Sequence, residues 1–190
     1  MSGKLVVISG PSGAGKTSVC RALKQLPGVE FSVSATTRAP RAGEQAGVDY
    51  HFLSREEFER RAQQGDFLEW AAYNGNCYGT PRWPMDEAIR AGRTFLLEIE
   101  VAGTRQLREK SVAGVYLFIS PPSIEELKNR LVRRGTNTEQ DIESRVRIAR
   151  EEIEAAQQVV AGRPLYDHMI PNVDLEQTIA RVAELIGVRR

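Results

Sequence analysis

Gly10-Pro-Ser-Gly-Ala-Gly15-Lys16-Thr17 joins an apolar run, Leu5-Val-Val-Ile8, to a helical stretch over 16–26. It meets the pattern G-x-x-x-x-G-K-[ST] at every fixed position, between a buried strand and a helix, as that loop requires. Glycines let the backbone curl until several N–H groups face one anion, and the following helix adds partial positive charge at its N-terminus. Lys16 is placed to reach the β- and γ-phosphates of a nucleotide, and Thr17 to set its hydroxyl on Mg²⁺. Gly10, Pro11, Ser12, Gly13, Ala14, Gly15, Lys16, Thr17 and Ser18 are thus the expected cradle of a nucleoside triphosphate. The bland alternative is a glycine turn that merely connects two elements; the four fixed positions and both flanks together argue against it.

The 190 residues suit one domain with a full core. Hydrophobic content of 41% and charged content of 27% are those of a water-soluble globular chain. A net charge of +1 gives no global field toward nucleic acid or membrane, so neither is expected as a partner. Cys20 and Cys77 lie far apart without a metal-ligand pattern, which points to a reduced, cytoplasmic setting. No apolar run approaches the roughly 20 residues that span a bilayer, and no leader pattern opens the chain. A monomer or small homo-oligomer is expected.

Strand-like and helix-like runs alternate beyond the loop. Strands are expected at Leu5–Ser9, Phe31–Ala35, Thr94–Glu100, Val115–Ser120 and His168–Ile170, with helices at 16–26, 103–110, 123–133 and 174–186. This rhythm predicts an α/β fold with a parallel sheet flanked by helices. Ser54-x-x-Glu57 and Ser123-x-x-Glu126 read as capping boxes, and Thr138-x-x-Asp141 and Asp174-x-x-Gln177 as weaker ones. A long amphipathic helix is expected over about 139–160, with Ile142, Val146, Ala149, Ile153, Ala156 and Val160 on one face. Two regions interrupt the rhythm: 34–92, rich in turn residues, and about 121–150, which carries Arg130, Arg133, Arg134, Arg145, Arg147 and Arg150. Insertions at the carboxyl ends of parallel strands are where α/β folds place substrates.

The first insertion holds a second phosphate signal. Arg38 and Arg41, separated by Ala39-Pro40, offer two planar forks of donors, enough to neutralise a dianion. Around them stand Ser34, Gly47-Val-Asp-Tyr50-His-Phe, Glu69-Trp70 and Asn74-Gly-Asn-Cys-Tyr78-Gly79-Thr80. With S-G-P-S-G-A-G-K-T, S-x-T-T-R-x-P-R-x-G-E and G-N-x-Y-G-T in this order and spacing, the chain closely resembles the guanylate kinases from Gly10 to Asp174.

The resemblance implies one domain: a core of about 1–33, 93–125 and 151–190, a GMP-binding region of about 34–92 and a lid of about 126–150. Arg38, Arg41, Tyr50 and Tyr78 match positions that hold the acceptor 5′-phosphate. Glu69 matches the reader of the guanine N1–H and 2-amino edge, and Ser34 and Thr80 the hydroxyl donors to O6; Gly79 lies between them and Tyr78. Arg130, Arg134 and Arg145 match the lid arginines that close over the triphosphate, and Asn172 matches an asparagine near adenine. The implied reaction is transfer of the γ-phosphoryl group of Mg²⁺–ATP to GMP, and also to dGMP, giving ADP and GDP in purine metabolism. Lys16, Arg38, Arg41, Arg130, Arg134 and Arg145 are the expected catalytic cations.

The base-reading roles agree with elementary chemistry. Guanine offers two donors at N1 and N2 and an acceptor at O6, which suit a carboxylate and hydroxyls. Adenine would leave Glu69 facing a lone pair, a mismatch worth about 10⁴–10⁵ in selectivity where the groups are buried. The chain departs from the family pattern at several points. Glu98 and Glu100 stand where two aspartates are usual, and both are counted with the GMP-binding residues. Cys77 replaces an aromatic residue, Pro81 and Trp83-Pro84 follow Thr80, Pro171 precedes Asn172, and Arg133 is an extra arginine read as solvated. The competing readings are a kinase for another nucleoside monophosphate, a non-catalytic interaction module and a phosphate-loop hydrolase. An intact loop argues against the module, and a second phosphate site against the hydrolase.

Overall fold

The computed structural model describes residues 3–73, 75–133 and 138–188. In chain order the elements are β1 (Lys4–Ser9), α1 (Lys16–Leu23), β2 (Val29–Phe31), β3 (Ala35–Thr36), β4 (His51–Phe52), α2 (Arg55–Gln63), β5 (Phe67–Tyr73), β6 (Asn76–Pro81) and α3 (Arg82–Arg90). They continue with β7 (Thr94–Glu98), α4 (Val101–Glu109), β8 (Val115–Ser120), α5 (Ile124–Arg133), α6 (Glu139–Ala155), β9 (Val159–Val160), β10 (Arg163–Pro164), β11 (His168–Pro171) and α7 (Leu175–Leu185).

The main sheet runs β11-β8-β1-β7-β2, every pair parallel. Residues 5–8 of β1 and 116–119 of β8 are buried without a break, as strands covered on both faces must be. Alternation then sorts the core into two layers. Leu5, Val7, Phe95, Leu97, Tyr116 and Phe118 face one side, packed by Met85 and Ala88 of α3 and Leu107 of α4. Val6, Ile8, Leu96, Leu117 and Ile119 face the other, under Val19 and Leu23 of α1 and Ile179 and Val182 of α7. The parallel α/β architecture is thus the one expected from the βα rhythm.

A second sheet, β4-β3-β6-β5, is built from the 34–92 region. It has its own small core of Ala35, Phe58, Phe67 and Cys77, with Phe58 stacked on Phe67 at 4.4 Å between ring centroids. Two arginine-bearing helices, α5 and α6, enclose a further cluster of Leu127, Leu131, Ile142 and Ala149.

Two elements differ from the sequence reading. The run 31–35 is not one strand. Phe31 ends β2 in the main sheet, Ser32 gives a last hydrogen bond to Leu96 O (2.9 Å), and Ala35 begins β3 in the second sheet. The long helix stops at Ala155, and Val160 belongs to a hairpin instead of the helical stripe. Ala161 and Gly162, at φ 51° and 75°, form the two-residue loop of that hairpin; paired positive φ values suit the strand twist. The caps follow the sequence signals: Ser54, Ser123 and Asp174 accept from Glu57, Glu126 and Gln177 N–H groups. Thr138–Asp141, ranked weaker, makes the full reciprocal box.

Candidate active site

β1 is the middle strand of the main sheet, so its carboxyl end opens where the chain crosses to either side, the usual place for a ligand in such sheets. The glycine loop fills that position. Gly10 has φ 146°, and a Cβ there would stand 2.0 Å from Ile119 O. Gly15 has φ 96°, and a Cβ there would stand 2.2 Å from Asn172 Nδ2. Both positions therefore exclude side chains by conformation and by contact. Ala14 is fully buried, and its carbonyl accepts Asn172 Nδ2 at 2.8 Å. Lys16 is nearly buried, and its ammonium donates to Gly10 O and to Pro11 O (3.2 Å). Thr17 Oγ1 donates to Glu98 Oε1 at 3.0 Å. Pro11, Ser12, Gly13, Gly15, Lys16, Thr17 and Ser18, with Glu98 and Glu100, line a cavity of about 230 Å³.

A second cavity, of about 350 Å³, lies between the second sheet and the start of α4. Ser34, Glu69, Tyr78 and Gly79 line it, and Glu98 and Glu100 line it as well. The two carboxylates at the end of β7 are therefore a wall common to both cavities. Glu69 is half-buried, and its Oε1 accepts the hydroxyl of fully buried Thr80 at 2.7 Å. Burial pushes the Glu69 carboxyl above its ordinary value, while Thr80 and the Lys110 charge pull the other way. Gly79 lets the strands close here: a Cβ would come within 2.9 Å of Trp70 Cβ.

Just past the end of β3, Arg38 donates to Glu44 Oε1 (2.8 Å) and to Ala39 O (2.7 Å). Its guanidinium lies 5.4 Å from the centre of the Tyr50 ring, which meets Tyr78 edge-on at 6.3 Å. Arg41 occupies an exposed turn, its backbone N–H held by Glu44 Oε2 at 2.7 Å. The Glu44 carboxylate and then the Tyr78 hydroxyl favour the charged form of Arg38.

On the opposite side, Arg145 Nη1 donates to Ser12 Oγ at 2.8 Å, which brings α6 onto the glycine loop. Arg130 donates to Glu126 Oε1 (3.0 Å) and to Asn172 O (2.9 Å). Arg133 is exposed and pairs with the same Glu126 oxygen at 3.0 Å. Arg134 lies outside the described residues. Asn172 is buried beneath the loop: its Nδ2 holds Ala14 O and its Oδ1 accepts Thr178 Oγ1 at 3.0 Å. The structure thus directs its amide at the loop.

Glu152 of α6 is a site residue that the sequence reading missed. It lines a cavity with Ser12, Asp141, Arg145 and Ile148, and its carboxyl faces that of Glu100. Its signal was its spacing, since 141, 145, 148 and 152 recur on one helix face. Burial first, then the charge and hydrogen bond of Glu100, push the Glu152 carboxyl up to about 7; Lys16 opposes this. The Glu152 carboxyl therefore keeps its proton up to the neutral range. Unfolded, the group would titrate near 4.5. The native state binds more protons between these values, so stability falls as pH rises through that window. Glu152→Gln is expected to be more stable than the parent by about 1 kcal/mol at pH 8.5, after allowance for solvent screening. The advantage disappears by about pH 4.5; thermal melts of both proteins across pH check this, and a gain that is flat with pH contradicts the raised Glu152 carboxyl.

Comparison with known proteins agrees with this arrangement. A family model described as guanylate kinase matches residues 2–188. Guanylate kinase of Shouchella clausii is 45% identical over 185 residues, 97% of this chain and 87% of that protein. Guanylate kinase of Parasynechococcus marenigrum is 46% identical over 187 residues, 98% and 99% of the two chains. The crystal structure of guanylate kinase from Anaplasma phagocytophilum superposes with a TM-score of 0.70 at 33% identity, covering 98% of this chain and 85% of that one. A continuous match over the glycine loop, the second sheet and the arginine-bearing helices places this chain in the guanylate kinase family.

Proposed function

We propose that this chain transfers the γ-phosphoryl group of Mg²⁺–ATP to GMP, giving ADP and GDP. What carries the proposal is the common wall of Glu98 and Glu100 between a phosphate-binding loop and a base-sized cavity with an arginine–tyrosine clamp beside it. Nucleotides bound in both cavities would share that wall. The acceptor phosphate oxygen is already a nucleophile, so catalysis rests on alignment and on neutralising charge. Lys16 and the loop N–H groups hold the donor phosphates, and Arg130, Arg134 and Arg145 close over them. Arg38, Arg41, Tyr50 and Tyr78 hold the acceptor phosphate. Glu69 accepts the guanine N1–H and 2-amino group, Ser34 lies along the same cavity to donate to O6, and Thr80 fixes Glu69. Asn172 shapes the donor side by holding Ala14.

The oxygen donors at the loop suit magnesium, a hard cation that prefers oxygen. Thr17 is the protein ligand, oriented by Glu98. Among the described residues no group of three or more His, Cys, Asp or Glu is placed to hold a metal. When bound, magnesium would offset the charge of the phosphates.

The three-part organisation follows: a core of 1–33, 93–125 and 151–190, a GMP-binding region over 34–92, and a lid over 126–150 that excludes water on closing. We place the reaction in the cytoplasm, in purine nucleotide metabolism, with ATP and GMP as the partners. No helix among the described residues is long and apolar enough to cross a membrane. The test is ADP release from Mg²⁺–ATP with GMP, dGMP, AMP, CMP and UMP offered in parallel. Turnover with GMP and dGMP alone is expected. Turnover with another base would overturn the guanine assignment, and none with any would favour a binding module.

A further inference from the structure

β5 is the edge strand of the second sheet, so its outer backbone groups have no strand to pair with. Gln106 of α4 and Lys110 at its C-cap supply partners instead. Trp70 N–H donates to Gln106 Oε1 at 3.4 Å, and Gln106 Nε2 donates back to Trp70 O at 3.2 Å. The Lys110 ammonium donates to Leu68 O at 2.9 Å. The spacings match: four helical residues rise about 6 Å, and two strand residues about 6.8 Å. Glu69 lies between the two ties. Its Oε2 rests against α4 at Gly103, where a Cβ would stand 3.1 Å away, while its Oε1 accepts Thr80 from β6.

We propose that Gln106 and Lys110 are positioning residues for recognition of the acceptor base: they splint β5 on both sides of Glu69 and so fix its carboxylate relative to the wall shared by the two cavities. This rests on the proposed assignment of guanine reading to Glu69. The splint is anchored in the main core, because Leu107 of α4 is buried in one cluster with Phe95 and Leu97 of β7. The same helix starts at the wall, since Glu100 is its N-cap residue. One rigid element therefore sets the distance from wall to base reader. Lys110 acts through its charge as well. Burial raises the Glu69 carboxyl, and the Thr80 hydrogen bond and the Lys110 charge oppose this. The other ionisable groups lining that cavity are Tyr78 of β6 and Glu98 and Glu100, so the charge that favours the ionised, guanine-accepting form comes from Lys110. Without these ties the edge strand would have to be ordered at each binding event.

Gln106→Met keeps the length of the side chain and removes both amide hydrogen bonds. Lys110→Met removes the donor and the charge, and Lys110→Arg keeps both. Neither position is fully buried, so the variants leave the core intact. The experiment measures steady-state kcat and KM on the full chain, across pH, for ATP, for GMP and for IMP, whose base lacks the 2-amino group. In Gln106→Met, loss of two neutral hydrogen bonds predicts a roughly 5- to 20-fold higher KM for GMP, and a preference for GMP over IMP reduced roughly 5-fold. KM for ATP stays as in the parent, and kcat changes less than KM for GMP. In Lys110→Met, the pH below which KM for GMP worsens moves upward, and Lys110→Arg restores it. An unchanged KM for GMP in Gln106→Met, or a pH profile that Lys110→Met does not move, overturns the role of that residue. Equal losses for GMP and IMP assign the two side chains to general folding and overturn the positioning role likewise. A parent that uses GMP and IMP equally removes the Glu69 assignment itself, a separate failure that is seen before any variant is made.

Discussion

Lys16→Met is expected to lower kcat by at least ~10³-fold while leaving a folded protein that still binds GMP. The geometry explains both halves. The Lys16 ammonium is held by two loop carbonyls, Gly10 O and Pro11 O, in the wall of the donor cavity, so it stands ready to offset the charge of a transferring phosphoryl group there. Methionine keeps the buried stem and removes the charge. It also leaves two carbonyls without their donor, which lowers stability by about 1 kcal/mol but does not unfold a core built elsewhere. Rapid-quench turnover, circular dichroism and GMP calorimetry on the same sample separate these effects. Near-normal turnover would take Lys16 out of the mechanism.

Glu69→Gln is expected to cut kcat/KM for GMP by about 10²–10³ with KM for ATP unchanged, because one of two acceptors facing guanine becomes a donor. The pH dependence distinguishes this from a packing defect. Burial raises the Glu69 carboxyl, and guanine reading uses its ionised form. In the parent, KM for GMP should therefore worsen as pH falls through that raised value and level off above it. The variant should lack the transition. Stability moves the other way. A raised carboxyl contributes stability below its unfolded value and loses it as pH rises through the folded one. Glu69→Gln should thus melt no lower than the parent at pH 8, the usual exchange of stability against function at a site. A variant with unchanged KM for GMP, or a parent with a flat profile, would show that Glu69 does not read the base.

The parts of this molecule legible in its sequence are those whose cause is local. The glycine loop is legible because the conformation of Gly10 and Gly15 admits no other residue, and the strands at 4–9 and 115–120 because burial on both faces demands continuous apolar runs. Local signals fail where a distant partner decides. The residues from Phe31 to Ala35 have a strand's composition throughout. Only pairing with β7 on one side and β6 on the other breaks them into two strands. The stripe ending at Val160 continues helically past Ala155, yet Ala161-Gly162 offers a tight reversal, and the chain takes it. In the site, Lys16, Arg38, Glu69 and Thr80 stand in motifs. Glu152 reads as an ordinary exposed carboxylate on an amphipathic helix until the fold sets it against Glu100. Glu44 stood within a motif without a role, since its two hydrogen bonds come from turn geometry.

The loop that would receive ATP is made near the start of the chain, yet its shape is completed by a residue 158 positions later, since Asn172 Nδ2 holds Ala14 O and lies where a Cβ of residue 15 would be. During synthesis on the ribosome, the segment that announces a nucleotide site thus emerges 158 residues ahead of the amide that supports it. A nascent chain lacking β11 and the start of α7 has the motif but not its support. Nucleotide binding in this protein should therefore switch on only once β11 and the start of α7 have joined the sheet, making it a reporter of that step of folding.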